Sequence, residues 1–197
     1  KTKVPLNYKE MRNKLSGIAS KGFDIISSQF SLHYYFKDET TLRGYLKNIS
    51  DNCRKNGYFI GTCYDGTRVF EALKDTPVIE HSDNFGNLLS KISKDYDIDN
   101  FTYDSENRQD MLGNRITVYM DSIGQEIPEY LVNFDFFIDI MKEYGFTLAM
   151  PPLHGKNSGI FNKESYSIEE GYGSFKNILD NVGDISKQDP RIQSYYS

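Results

Sequence analysis

Apolar positions change their period several times along the chain, and each change marks an element. Met11, Leu15 and Ile18 recur at helical spacing, predicting a short amphipathic helix over residues 8–21 with Gly22 as its C-terminal cap. Phe23-Asp24-Ile25-Ile26-Ser27-Ser28-Gln29-Phe30 is short, β-branched and bounded by glycine, the pattern of a buried strand. Asp38 then stands where a helix N-cap would, and Leu42, Leu46, Ile49 and Cys53 share one helical face, with Gly57 expected to close that helix. Tyr58-Phe59-Ile60-Gly61-Thr62 reads as a second buried strand. Strand, helix and strand at this spacing predict a parallel crossover unit.

Further on, Val69, Phe70 and Leu73 would face inward from a helix over Thr67–Lys74, and Ile116–Tyr119 reads as a strand. Residues 80–110 are polar and mixed, and their pattern selects no element. Pro128 stands at the favoured first position of a helix carrying Leu131, Phe134, Ile138 and Met141 inward, with Gly145 ending it. Phe146–Met150 reads as a strand stopped by Pro151-Pro152, and a short helix is expected around Phe175–Leu179 in a polar tail. The alternation predicts an α/β sheet with helices on both faces.

Composition narrows the function. Of 197 residues, 38% are hydrophobic and 26% charged, enough for a core and too apolar for wholesale disorder. The net charge of -5 argues against a general nucleic-acid coat, which needs a basic surface, but not against recognition of one base in a pocket. The aromatic residues, 14% of the chain and all Phe or Tyr, supply flat faces for such a base. No run of about 18 apolar residues exists, so no membrane helix is expected. Lys1–Pro5 shows no secretory signal, and Cys53 and Cys63 form no Cys-x-x-Cys pair, so reduced thiols are expected.

Several chemistries lack their residues. There is no Gly-x-Gly-x-x-Gly, no phosphate-binding Gly-x-x-x-x-Gly-Lys-Ser/Thr and no Gly-x-Ser-x-Gly elbow. Gly61 and Gly66 flank a turn, and Gly171 and Gly173 lie in the polar tail; ordinary turns account for both pairs. His33, His81 and His154 are scattered, with no zinc-ligand spacing.

One segment is more specific. Phe23-Asp24, then Gln29-Phe30, then His33-Tyr34 followed by aromatic Tyr35 and Phe36, resembles the strand and loop of eukaryotic and large-DNA-virus mRNA cap guanine-N7 methyltransferases. Asn56-Gly57-Tyr58-Phe59-Ile60-Gly61-Thr62 resembles that family's Gly-Gly-Tyr-Phe-Ile-Gly-Thr run, with Asn56 in place of the first glycine. Pro128-Glu129-Tyr130-Leu131-Val132 is similar to its Pro-Glu-Phe-Leu-Val element. The three segments occur in order across roughly residues 20–150.

The resemblance implies a partial class I methyltransferase (Rossmann-like) sheet without the strands that grip the methyl donor. Residues 1–83 would form central strands and helices, 84–127 a cap-pocket insertion, and 128–197 a closing helix, strand and tail. It implies S-adenosylmethionine as donor and 5′-capped mRNA as substrate. The remainder of a capping enzyme or a regulatory subunit would be the partner, in the nucleus or a cytoplasmic viral factory. Such a piece alone would be inactive. The reaction needs no general base, because guanine N7 carries a free lone pair near neutral pH, so no catalytic side chain is expected and alignment does the work.

By the same resemblance Phe30, His33, Tyr34 and Glu129 would bind the cap, and Ser28, Gln29 and Tyr34 would lie near the donor. Taken alone, Glu129 reads as a helix-start carboxylate and His33 as a hydrogen-bonded core histidine. Phe30 divides evenly between packing and base contact, Ser28 suits a strand-end hydroxyl, and Tyr35 and Phe36 suit the core. Two other readings stay open: a non-catalytic subunit that binds cap or a partner protein, and a methyltransferase for a small molecule on the same fold.

Overall fold

A computed structural model describes residues 8–149. Contacts divide the chain into two units, Lys1–Gly145 and Phe146–Ser197. In the second unit, residues 146–149 form no strand, which corrects that expectation; Met150, the two prolines and the expected helix over Phe175–Leu179 lie outside the described residues.

The first helix, α1 (Tyr8–Leu15), is shorter than expected, because the chain enters turns at Ser16 and Gly17 takes φ +82°. Gly22 leads into the next strand instead of capping this helix. Strand β1 (Phe23–Gln29), helix α2 (Glu39–Asn52) and strand β2 (Cys53–Thr62) form the expected parallel crossover, with Ile25 beside Tyr58, Ile26 beside Phe59 and Gln29 beside Thr62. Asp38 caps α2 by accepting the Thr41 N–H at 2.8 Å, and Leu42, Leu46 and Ile49 are buried along its inner face.

Two expectations fail here. Helix α2 ends at Asn52, not at Gly57, which lies inside β2. Neither strand is buried on both faces. Side chains alternate across a strand, so Ile26, Ser28 and Phe59 face α2 while Ile25, Tyr58 and Ile60 point the other way and are exposed. Apolar character showed that these residues want cover, but not that the described residues supply it on one side only.

Where β2 begins, its register against β1 shifts between Phe23 and Ile25, and Asn56 takes φ +63°. That left-handed backbone costs an ordinary L-residue about 1–2 kcal/mol, less for asparagine. Asn56→Ala is therefore expected to lower the unfolding free energy by about 1 kcal/mol, and Asn56→Gly to keep or raise it, as read by urea denaturation. Equal losses from both would show that backbone conformation does not select this residue.

Helix α3 (Gly66–Ala72) follows, capped by Asp65, with Val69, Phe70 and Leu73 buried as expected. The polar stretch after it contributes to an antiparallel meander. Strands β3 (Val78–Ser82), β4 (Leu88–Lys94), β5 (Arg115–Met120) and β6 (Gln125–Tyr130) pair in chain order. Ile116 and Val118 on β5 are buried.

Pro128 does not open a helix. It lies in β6, an edge strand of this sheet, where the missing N–H leaves no central ladder bond unmade. The helix begins later, as α4 (Phe134–Glu143), because Asn133 is the N-cap, accepting the Phe136 N–H at 3.1 Å. Its buried face is Phe136, Phe137, Ile140 and Met141. Gly145 ends it with φ +83°, as expected. Phe36, fully buried, meets Phe136 edge-on with ring centres 6.1 Å apart. The core thus lies between α2, α4 and the 3-10 helix Leu32–Lys37.

Candidate functional site

The chain leaves β1 through Phe30, held at φ +47°. A bulky side chain in the left-handed region is rare and strained, and persists only where its surroundings over-determine it. Here the Phe30 N–H donates to the Thr62 carbonyl at 2.9 Å and to Thr62 Oγ1 at 3.2 Å, while Thr62 Oγ1 donates to Gln29 Oε1 at 2.8 Å. The carboxyl ends of β1 and β2 are thereby tied together, leaving the Phe30 ring exposed.

One turn later, the 3-10 helix Leu32–Lys37 carries its side chains in different directions. Leu32 and Phe36 enter the core, Tyr35 stacks on Tyr45 at 3.8 Å, and His33 is turned inward with 3% exposure. Tyr35 and Phe36 are therefore packing residues, as their sequence positions suggested. Tyr34 remains exposed and meets the His33 ring edge-on, with centres 4.3 Å apart.

Strand β6 packs against this 3-10 helix. Glu129 pairs across the ladder with Ile116, so its side chain shares the buried face with Ile116 instead of reaching solvent. It is 7% exposed, and its Oε2 lies 3.5 Å from His33 Nε2. The helix-start reading of Glu129 is overturned: it is a strand residue aimed inward.

Neither group is satisfied. Among the described residues, His33 Nδ1 and Nε2 and Glu129 Oε2 are buried without a hydrogen-bond partner, the two side chains facing each other at 3.5 Å. Burial pushes the Glu129 carboxyl up to about 7 and the His33 imidazole down to about 4. Near pH 7.5 the histidine is neutral and Glu129 largely ionised. Buried polar groups are usually paired, and an unpaired donor and acceptor side by side point to a ligand that supplies both complements.

Two neighbours went unnoticed in the sequence. Burial, followed by Glu129 and Tyr34, pushes the Tyr64 hydroxyl above its usual range, and it lies 3.9 Å from Met120 Sδ. Burial, followed by Asp65 and Glu129, pushes the Cys63 thiol up to about 12. Both directly follow the carboxyl end of β2, where open α/β sheets place ligands, and that rule could have found them. Just beyond, the Gly66 N–H donates to the Val132 carbonyl at 3.1 Å, fixing this turn against the segment that follows Glu129.

The donor-side candidates separate. Gln29 is exposed at the strand end, its amide also donating to Ser27 Oγ at 2.9 Å. Ser28 is buried on the opposite, α2-facing side of β1 and shares a 2.8 Å hydrogen bond with Ser31 Oγ. So His33, Tyr34 and Glu129 come together, Gln29 and Phe30 lie at the adjoining strand end, and Ser28 faces away.

A family model described as the mRNA (guanine-N(7))-methyltransferase domain matches residues 6–186. The chain is 32% identical over 202 residues to the "Probable mRNA-capping enzyme" of Acanthamoeba polyphaga mimivirus, covering 98% of this chain and 16% of that protein. It is 28% identical over 128 residues to the "mRNA cap guanine-N(7) methyltransferase" of Saccharomyces cerevisiae, covering 64% and 28%. Against the Eremothecium gossypii protein of that name it is 26% identical over 130 residues, covering 64% and 29%. The chain thus spans less than a third of the length of each of these relatives.

Proposed function

The chain belongs to the mRNA (guanine-N7)-methyltransferase family, and from that premise we propose that it provides the guanine-binding side of a cap methyltransferase. The observation that carries this reading is the buried, unsatisfied His33–Glu129 pair. A guanine edge presents the O6 acceptor beside the N1–H and N2–H donors. Glu129 accepts from the two donors and neutral His33 donates to O6, which supplies partners for the Glu129 carboxylate and for one His33 ring nitrogen. Adenine presents a donor where guanine has O6 and has no 2-amino group, so the same pair selects against it. Tyr34 supplies an exposed aromatic face beside the pair, suited to hold the base in plane.

S-adenosylmethionine, when bound, supplies an electrophilic methyl carbon on a sulfonium. Gln29 and Tyr34, exposed at the carboxyl end of the β1–β2 pair, fit a donor lying there; Ser28, buried and bonded on the other face, does not. Guanine N7 carries a free lone pair, so no side chain has to accept a proton, and the chain's part would be to bind, orient and exclude water. Glu129 also offsets the positive charge that develops on the purine. Substrate RNA carrying a 5′ cap follows from this reading. Relatives in a yeast and a mimivirus fit a nuclear or viral-factory setting.

The test is calorimetric titration with the unmethylated cap dinucleotide GpppA against ApppA as control. A preference of about tenfold or more for GpppA is expected, reduced about 10- to 100-fold by His33→Ala. Only ionised Glu129 accepts both donors. Its carboxyl is raised to about 7, so affinity should be flat above that pH and fall about tenfold per unit below it. Equal affinity for both dinucleotides, or a pH-independent preference, would sink the assignment.

A further inference from the structure

The meander presents three rows of side chains on the face that holds Glu129. Residues in register across an antiparallel sheet share a face, and positions two apart along a strand return to it. The first row is Glu129, Ile116 and Lys94, and the second is Ile127, Val118, Ile92 and Ile79. Glu129, Ile116 and Val118 are buried. The third row, Gln125, Met120, Ser90 and His81, crosses all four strands at the hairpin end. It is the open one: Gln125 and His81 are exposed, and Met120 and Ser90 are half-buried. On the opposite face of the sheet Lys91 pairs with Glu126, and Arg115 with Asp95. In the third row, by contrast, none of His81, Ser90 and Gln125 makes a side-chain hydrogen bond or ion pair among the described residues. The row also adjoins the guanine site, because the Tyr64 hydroxyl that lies 3.9 Å from Met120 Sδ is within the field of Glu129.

The geometry points to this third row as the seat of the first transcribed nucleoside, the one beyond the triphosphate bridge of a capped RNA. The inference rests on the guanine reading above and extends it to the rest of the substrate. With O6 on His33 and the N1–H and N2–H donors on Glu129, N9 and its ribose stand at the opposite edge of the base. The triphosphate therefore leaves the pocket away from that pair. Gln125 is four residues from Glu129 on the same strand, about 14 Å of extended chain, a span that a ribose and a triphosphate can bridge. The row holds no lysine or arginine, so it suits the nucleoside and not the phosphates. The polarisable Met120 thioether fits the flat face of any base. The Gln125 amide both donates and accepts, and Ser90 and His81 offer partners for ribose hydroxyls. Nothing here reads one base edge as His33 and Glu129 do, so the row adds affinity for RNA without selecting its first base.

The test is calorimetric titration of the 197-residue chain with GTP, ATP and GpppA, since GTP carries the guanine and the phosphates without the second nucleoside. GTP is expected to bind ahead of ATP, and GpppA about tenfold tighter than GTP, the scale of one additional stacked base. His81→Ala and Gln125→Ala, both at exposed positions, should each lower GpppA affinity about three- to tenfold. Together they should bring it down to that of GTP. Lys91→Ala, on the opposite face of the same sheet, should keep the GpppA-to-GTP ratio of the unaltered chain. A chain that prefers GTP over ATP yet binds GTP and GpppA alike would overturn this proposal and leave the guanine reading standing. It is overturned as well if the His81 and Gln125 substitutions leave the ratio unchanged, or lower both affinities in proportion. The same follows if Lys91→Ala removes as much of the ratio as they do. A chain indifferent between GTP and ATP would overturn the guanine reading, and this proposal with it.

Discussion

Glu129→Gln is expected to weaken GpppA binding about 100-fold or more while making the free protein more stable at pH 8. The carboxylate can accept from N1–H and N2–H together, whereas an amide offers one acceptor and turns an NH2 toward the second donor. A buried site built around a hydrogen-bond pattern loses most when one partner is left facing the wrong way. The stability gain has a separate origin. Burial raises the Glu129 carboxyl from its ordinary 4.5 to about 7, so between those values the folded chain keeps a proton that the unfolded chain has released. Stability contributed by this group is therefore highest below pH 4.5, declines through that window, and is fully lost above pH 7. Neutral glutamine avoids the loss, on the order of 1–3 kcal/mol at pH 8. Thermal melts at pH 8 and pH 4.5 check this: the variant should melt higher at pH 8, and the gap should close at pH 4.5. A variant less stable at both values would mean that Glu129 is a satisfied structural residue and that the site assignment is wrong.

Gly66→Ala should have the largest effect on folding, a loss of about 3 kcal/mol or more. A Cβ at Gly66 would collide with the Val132 carbonyl oxygen and sit 2.5 Å from its nitrogen and 2.8 Å from its carbonyl carbon. All three are main-chain atoms, so no rotamer change relieves the clash. Either the start of α3 or the segment after β6 must move, and the Gly66 N–H to Val132 bond goes with it. Gly44 gives the contrast: it lies in α2 with nothing within 4 Å of an added Cβ. Gly44→Ala should stabilise by up to about 1 kcal/mol through helix propensity. Urea denaturation of the two variants separates the cases, and similar small changes in both would contradict the close packing at Gly66.

The features that were legible in the sequence are those fixed by local chemistry. Asp38 as a cap, the Leu42–Leu46–Ile49 stripe, and Val69, Phe70 and Leu73 facing inward all depend on neighbours within a turn or two. The parallel crossover followed from them. Pro128 misled because proline suits both a helix start and an edge strand, and only pairing with β5, set by tertiary structure, decides between them. Asn133 was the better helix signal. Strands β3 and β4 escaped because Val78–Ser82 and Leu88–Lys94 are mixed and half-exposed, without a clean alternation. The candidate site residues His33 and Glu129 came from resemblance; their chemistry alone favoured commoner roles. What no pattern revealed was that the two are buried against each other with no hydrogen-bond partner for His33 Nδ1 and Nε2 or Glu129 Oε2 among the described residues, a property of packing between elements.

His33 and Glu129 also stand 96 positions apart in the chain, one on the 3-10 helix that follows β1 and the other on the last strand of the meander. Each sheet can form through shorter connections, but the contact between them closes a longer loop, which is entropically costly and slow to reach. The proposed base pocket is thus expected to assemble late in folding. An opening that parts β6 from the 3-10 helix would erase it while most backbone hydrogen bonds survive, so intact secondary structure by circular dichroism would be a poor proxy for a competent pocket.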